Sequence, residues 1–383
     1  MDLGDELEKL RLREDPNPKT GELIEWIATD GGLLPKGDYQ RVHDFYVELA
    51  RKRYLDLGDY KNFKHRAKLA SWAATVKVPN SVDRPKLKRG GEFFLSHLFR
   101  ITLILGMSSL LEAYACWRGV HVLSQTGQLS HFTNRRLVES WQFVMKACEP
   151  DGFAPNKRGG AVDAIRRIRL MHGAIRWLIC HDCLRKVPPP PAPRDWDTNT
   201  YGLPINGEDL LAMMLGFSRV VTRDLPKIGA HVTSDEAESY RYLWDVIGEM
   251  LGVEEPLRPR TVDEAAQLFC AIKRRQQTEW SKDGEAMADA LLRFYSEWPP
   301  LKIQQQPIVK AWAVALMRHL AGDFVCDLVS LPKAGKLAQL LAGANGELMD
   351  ALGAALLGHN GVRVLGMPVK AYEIPRSLVR KFA

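Results

Sequence analysis

The chain has 383 residues, 46% of them apolar and 26% charged, a composition that supplies a full core and excludes bulk disorder. Its formal charge of +7 raises an acidic partner such as nucleic acid as a question, and six cysteines are too few for a disulfide scaffold. The length exceeds the usual single domain without internal repeats, which favours one large domain with extensions over two unrelated modules.

Residues 1–85 carry short amphipathic segments broken by Asp15-Pro16-Asn17-Pro18, Asp30-Gly31-Gly32 and Pro79-Asn80, and predict a helical N-terminal extension. The stretch from Met1 to Lys9 is acidic and has neither the apolar run nor the small-residue cleavage site of a secretory signal, so a cytoplasmic protein with reduced thiols is expected. The core is expected over 86–335. From Gly90 to Ile179 come three long helical patterns, separated by Gln125-Thr126-Gly127 and by a loop from Glu149 to Gly160. The most apolar stretch, Phe93 to Cys116, is interrupted by His97, Arg100 and Glu112, and reads as a buried core helix rather than a membrane span.

Val187 to Gly207 holds Pro188 to Pro191 in a row, then Pro193 and Pro204, and predicts a surface loop across the core. Gly207-Glu208-Asp209 opens the next apolar-periodic helix, and Thr233-Ser234-Asp235-Glu236 supplies the start of another. Beyond Pro256-Leu257-Arg258-Pro259 the helical pattern resumes to about Val329, and 336–383 read as a C-terminal helical tail. Alternating runs of strand length are scarce, so the expected class is all-α.

One helix carries chemistry. Val162, Ile165, Ile168, His172, Ile175 and Ile179 form a stripe at steps of three and four, so His172 projects from an otherwise apolar face. Arg169 lies one turn before it and Arg176 one turn after. Their charges disfavour imidazolium, and so keep the ring neutral as a metal ligand must be. The bland alternative is a core histidine bonded to a backbone carbonyl. The Arg166, Arg167, Arg169, Arg176 group likewise reads either as a solvated face, as a basic binding surface, or as cations serving the histidine. A second basic run, Arg84 to Arg89, has the look of a solvated helix face.

Ile168 to Arg176, IRLMHGAIR, resembles the R-x-x-H-x-x-x-R ligand helix of the rubber oxygenase and latex clearing protein family, which includes the mycophenolic acid pathway oxygenase. Ser109 to Tyr114, Thr126 to Leu129, Arg135 to Val144, Pro204 to Leu211, Tyr240 to Val253 and Leu316-Met317-Arg318 are similar to the family's other segments, in the same order. The resemblance implies a globin-like helical core holding haem b, with His172 as the iron ligand and Arg169 and Arg176 beside it. It matches Arg136 and Ser140 to the arginine and threonine of the neighbouring helix that lines the haem pocket. Glu139 stands where latex clearing protein has a lysine able to cap the distal iron, and no carboxylate has the family's spacing before Arg136, which leaves Glu112 as the acid/base candidate. The implied function is oxygenation of an apolar or unsaturated small molecule with O2, with no nucleic acid partner. A non-catalytic basic helical binding protein and a haem protein with a sensing or reductive role are the alternatives.

Other motifs are weaker. Cys180-His181-Asp182-Cys183 lacks the second pair a zinc site needs, and there is no C-x-x-C-H for covalent haem. His97, His121, His131, His181 and His319 fall in or near helices and are candidates for a second ligand or base. Arg158-Gly159-Gly160 matches neither a P-loop nor a dinucleotide fingerprint. The ten tryptophans are spread along the chain and read mostly as core anchors.

Overall fold

The computed structural model describes residues 3–13, 20–34, 37–125, 133–155, 157–181, 196–255, 257–297 and 306–336. Every regular element among them is helical, as the sequence predicts. The helices used below are α1 (Leu3–Arg11), α2 (Thr20–Ala28), α3 (Tyr39–Arg51), α4 (Arg66–Thr75), α5 (Arg84–Ser96), α6 (Leu98–Ile104), α7 (Leu110–Tyr114), α8 (Gly119–Gln125), α9 (Thr133–Ala147) and α10 (Ala161–Cys180). After these come α11 (Thr198–Tyr201), α12 (Gly207–Asp224), α13 (Ser234–Leu251), α14 (Val262–Gln276), α15 (Lys282–Glu297), α16 (Gln306–Ala321) and α17 (Asp323–Leu328).

Local signals set several boundaries. Asp83 caps α5 by accepting from the Lys86 amide, and Pro85 occupies the first turn, where its missing N–H costs nothing. Asn206 and Asp209 form a reciprocal capping box at α12, and Thr233 and Glu236 form one at α13. Each box satisfies amides that the first turn leaves without a partner.

Packing decided where the first apolar pattern breaks. The expected single helix from Phe93 to Cys116 is instead two arms, Arg84–Ser96 and Leu98–Tyr114, bent by 82° at His97. The second arm contains a π turn, Leu105–Ser109. A Cβ on Gly106 there would stand 1.7 Å from the Tyr295 hydroxyl, so the turn closes around a tyrosine from α15. Among the described residues no single helix is long and apolar enough to cross a membrane, and this bent pair alone passes that test by length and composition. Its apolar side chains Phe93, Phe94, Ile101, Leu103 and Ile104 are buried in the core.

α10 lies among α2, α3, α9 and α13. The N-terminal segment therefore forms one wall of the histidine helix. A Cβ on Gly173 would stand 2.7 Å from Thr20 Cγ2, so the glycine is what lets α2 approach. Trp177 Nε1 donates to Glu25 at 2.6 Å, and Arg167 Nε donates to the Leu49 carbonyl at 2.7 Å. α5 and α13 cross as closely: a Cβ on Gly90 would meet the Ser239 carbonyl at 2.5 Å. One continuous apolar cluster runs from Leu7 to Leu331.

Candidate functional site

His172 is half-buried on α10, between the buried Met171 and Gly173. Ile168, one turn earlier, is half-buried as well, whereas Ile175 and Ile179 are buried in a small satellite cluster with Val122 of α8. The imidazole thus stands in a mainly apolar stripe, as the spacing predicts, with its Nδ1 shielded from solvent. Met171, Gly173 and the apolar positions around it give the ring a fixed mounting rather than a mobile loop.

The arginines do not form a solvated face. Arg169 is 2% exposed, and its Nη1 donates to the Met250 carbonyl at 3.0 Å, at the end of α13 where carbonyls lack helical partners. Arg176 is also buried, with Nε on the Pro204 carbonyl at 2.9 Å and Nη2 on the Ile205 carbonyl at 2.7 Å. Arg166 reaches the Val76 carbonyl at 2.9 Å and Asp163 at 3.0 Å. Guanidinium forks thus tie three neighbouring backbone segments to the histidine helix, and keep permanent positive charge beside it.

α9 packs along α10, so the two helices that the sequence singles out do meet. On α9, Glu139 is half-buried and Ser140 exposed. The Arg136 side chain lies outside the described residues, as do His131, Asp182, Cys183, the prolines from 188 to 193 and everything after 336.

The other described histidines that the sequence offers as a second ligand or base each have a local engagement. His121 is buried, with Nδ1 2.8 Å from Asp283 and Nε2 3.2 Å from the Gln125 amide, and it stacks on Tyr201 at 4.2 Å and Trp196 at 5.4 Å. His181 stacks on Trp177 at 4.0 Å. His319 is exposed and contacts the Lys227 carbonyl at 3.0 Å. His97 packs on Phe93 at the helix break, where burial and then Arg100 hold its proton affinity below that of an ordinary histidine. Cys180 is exposed at the end of α10.

Glu112 belongs to a second charged region that spacing did not reveal. Buried on α7, it accepts from Arg223 at 2.8 Å, from Lys273 at 3.0 Å and from the Gln277 amide at 2.9 Å. Asp224, fully buried, accepts from Ser108 of the π turn at 2.6 Å and from Arg223 at 2.7 Å, and pairs with Lys227 at 2.8 Å. Burial alone would raise Asp224, but Arg223, Lys227 and Ser108 outweigh it and hold the carboxyl below its ordinary range. Glu112 is thus held by two cations and an amide within the fold's own charged network.

The segment after the prolines docks through its aromatics. Trp196 and Tyr201 cover His121, and Ile205 adjoins the Val122, Ile175 and Ile179 cluster. Ile205 has φ 53°, the left-handed region, where a β-branched residue is an outlier. Just beyond it Asp209 is half-buried; burial and then Glu208 push its carboxyl up to about 7. Neither feature has a sequence signal, because both arise from what three distant segments do to one turn.

Fold and site together define an all-α protein built around a central helix that presents one imidazole and holds its neighbours by buried arginines. Residues 95–378 match the family described as ER-bound oxygenase mpaB/B'/Rubber oxygenase, catalytic domain, and the chain belongs to that family. The chain is 24% identical over 294 residues to the rubber oxygenase of Streptomyces sp. (strain K30); the match takes in 75% of this chain and 64%, under two thirds, of that relative. The structure of latex clearing protein LCP in the closed state superposes with a TM-score of 0.63 at 19% identity, over 97% of this chain and 89% of that one, a likeness of fold.

Proposed function

We propose that this member of an oxygenase family is a b-type haem-dependent oxygenase that acts with O2 on an apolar or unsaturated small molecule, with His172 as the protein's iron ligand. The observation that carries the reading is the half-buried imidazole on a rigid, cation-flanked helix, in the stretch that matches the family. The donor set fits. A single imidazole on a helix is the kind of protein ligand that haem iron takes, its macrocycle supplying the remaining in-plane donors. Bound haem would supply the oxygen chemistry itself. The protein's part is to hold the ring, to exclude water with Ile168 and the helix packing, and to set positive charge beside the site through Arg169 and Arg176. Arg136 and Ser140 of α9 are proposed to line the same site, with Glu139 next to them. The Streptomyces relative is named for rubber, which puts unsaturated hydrocarbons first among substrates to screen.

The rival reading, a basic surface for nucleic acid, needs the cluster from Arg166 to Arg176 to face outward. Arg167, Arg169 and Arg176 are buried instead, each donating to a backbone carbonyl. The test is the ultraviolet-visible spectrum of haem-supplemented protein, oxidised and reduced, with and without carbon monoxide, beside His172→Ala. A Soret band that shifts on reduction and on carbon monoxide, and is lost in the variant, is expected; a spectrum untouched by the substitution overturns the assignment. Glu139→Lys is expected to add a lysine-ligated form to that spectrum, and an unchanged spectrum would break the placement of Glu139 at the iron.

A further inference from the structure

The turn entering α12 is held against its own backbone preference. Ile205 sits in the left-handed region, and such conformations persist only where the surroundings over-determine them. Here they do. From one side Arg176 grips the carbonyls of Pro204 and Ile205. From the other, the Asp209 amide donates to Asn206 Oδ1 at 3.0 Å and the Asn206 amide donates to Asp209 Oδ2 at 3.3 Å. The Ile205 side chain packs on the cluster of Val122, Ile175 and Ile179, the last two on the same stripe as His172.

What this turn holds in place is a carboxylate. Asp209 Oδ1 lies 3.2 Å from where a Cβ on Gly119 would stand, so the residue at the start of α8 leaves it room. Among the described residues the ionisable groups that face it are Glu208 on its own helix, Arg176 from α10 and Cys116 from the junction of α7 and α8. Behind Glu208 stand Arg275 and, bonded to Arg275, Glu8. Glu208 is fully buried, with Oε1 accepting from Arg275 at 2.9 Å and Oε2 lacking a hydrogen-bond partner among the described residues. Burial and the Glu208 charge oppose ionisation of Asp209, while the Asn206 amide and Arg176 favour it, and the balance leaves the group near neutrality, at about 7. Glu112 and Asp224 are bonded to cations; among the described residues no cation is hydrogen-bonded to this one.

We propose that Asp209 is the proton-holding residue of the His172 site, taking up and releasing a proton beside the ligand helix and positioned there by Arg176 through the Pro204 to Asn206 turn. The inference rests on the haem reading above. The proton is exchanged with water, no electron moves, and each exchange changes by one the charge facing Arg176, one helical turn from His172. Asp209 is thus a positioning residue for the charge that Arg176 presents, rather than a group in contact with the iron.

The test follows the Soret band and the stretching frequency of bound carbon monoxide from pH 5 to 9 in haem-loaded, full-length protein, for the parent chain, Asp209→Asn and Glu208→Gln. The parent is expected to show a transition centred near 7, set by Asp209. Asp209→Asn abolishes it, and Glu208→Gln moves it to lower pH by removing a neighbouring negative charge. A transition that survives Asp209→Asn, or a flat profile in the parent, overturns the inference and leaves the haem reading standing. If no Soret band forms in the parent, both fall. Should Asp209→Asn fail to fold, the Glu208→Gln shift decides alone, and an unmoved midpoint overturns the proposal.

Discussion

Two buried charged regions of this protein satisfy their charges in different ways. Around the π turn, Glu112 and Asp224 face Arg223, Lys227 and Lys273, so charge meets opposite charge. On α10, Arg167, Arg169 and Arg176 donate to backbone carbonyls of other segments, which ties those segments to the helix. The first arrangement is closed and serves cohesion. The second sets guanidinium groups on the helix of His172, and the charge of Arg176 acts on the Asp209 carboxyl. The contrast separates a cluster in which cations meet carboxylates from one in which guanidinium groups meet carbonyls, the latter on the helix of the proposed ligand.

The largest expected effect lies in the closed cluster. Glu112→Ala leaves Lys273 and the Gln277 amide without their carboxylate and Arg223 with Asp224 alone, and should cost about 3–5 kcal/mol in urea unfolding, with the Soret band of refolded protein unchanged; equal loss of haem binding would erase the distinction between the regions. Arg169→Leu should cost about 1–3 kcal/mol by leaving the Met250 carbonyl without its donor, and should also alter the haem spectrum. His172→Ala should change haem-free stability by less than about 1 kcal/mol, since it empties no fully buried position, while it abolishes the Soret band.

Stability against pH sharpens the comparison through its sign. Asp224 is depressed in the folded protein, so its contribution is present above the ordinary carboxylate range and lost as pH falls through the lower folded value; Asp224→Asn should flatten that acid limb. Asp209 is raised, so its contribution is full below the ordinary value of 3.8 and lost as pH rises through about 7. In haem-free protein, thermal midpoints of Asp209→Asn and the parent should therefore diverge between those limits, with the variant the more stable at pH 8 relative to pH 5. Parallel curves would show that Asp209 titrates normally.

Much of the site was legible because a helix converts spacing directly into shared faces. The 168, 172, 175 stripe needed only periodicity, and the flanking arginines only one-turn offsets. The direction in which those arginines point was not legible, since Met250, Pro204 and Leu49 are far away in sequence. Glu112 shows the same limit from the other side: its candidacy rested on its residue type, and the cations that neutralise it come from α12 and α14. The break at His97 also escaped the pattern, because apolar residues continue on both sides of it and Tyr295, the π turn's partner, comes from α15.

The sequence by itself determined the all-α class, the caps of α12 and α13, and the single imidazole on an apolar stripe, because these depend on interactions within four residues of one another. Only the tertiary structure decided which charges are paired, which arginines turn inward, and that Asp209 sits near neutrality behind a strained Ile205. Burial and field are properties of the assembled surroundings, and segments remote in the chain set them together.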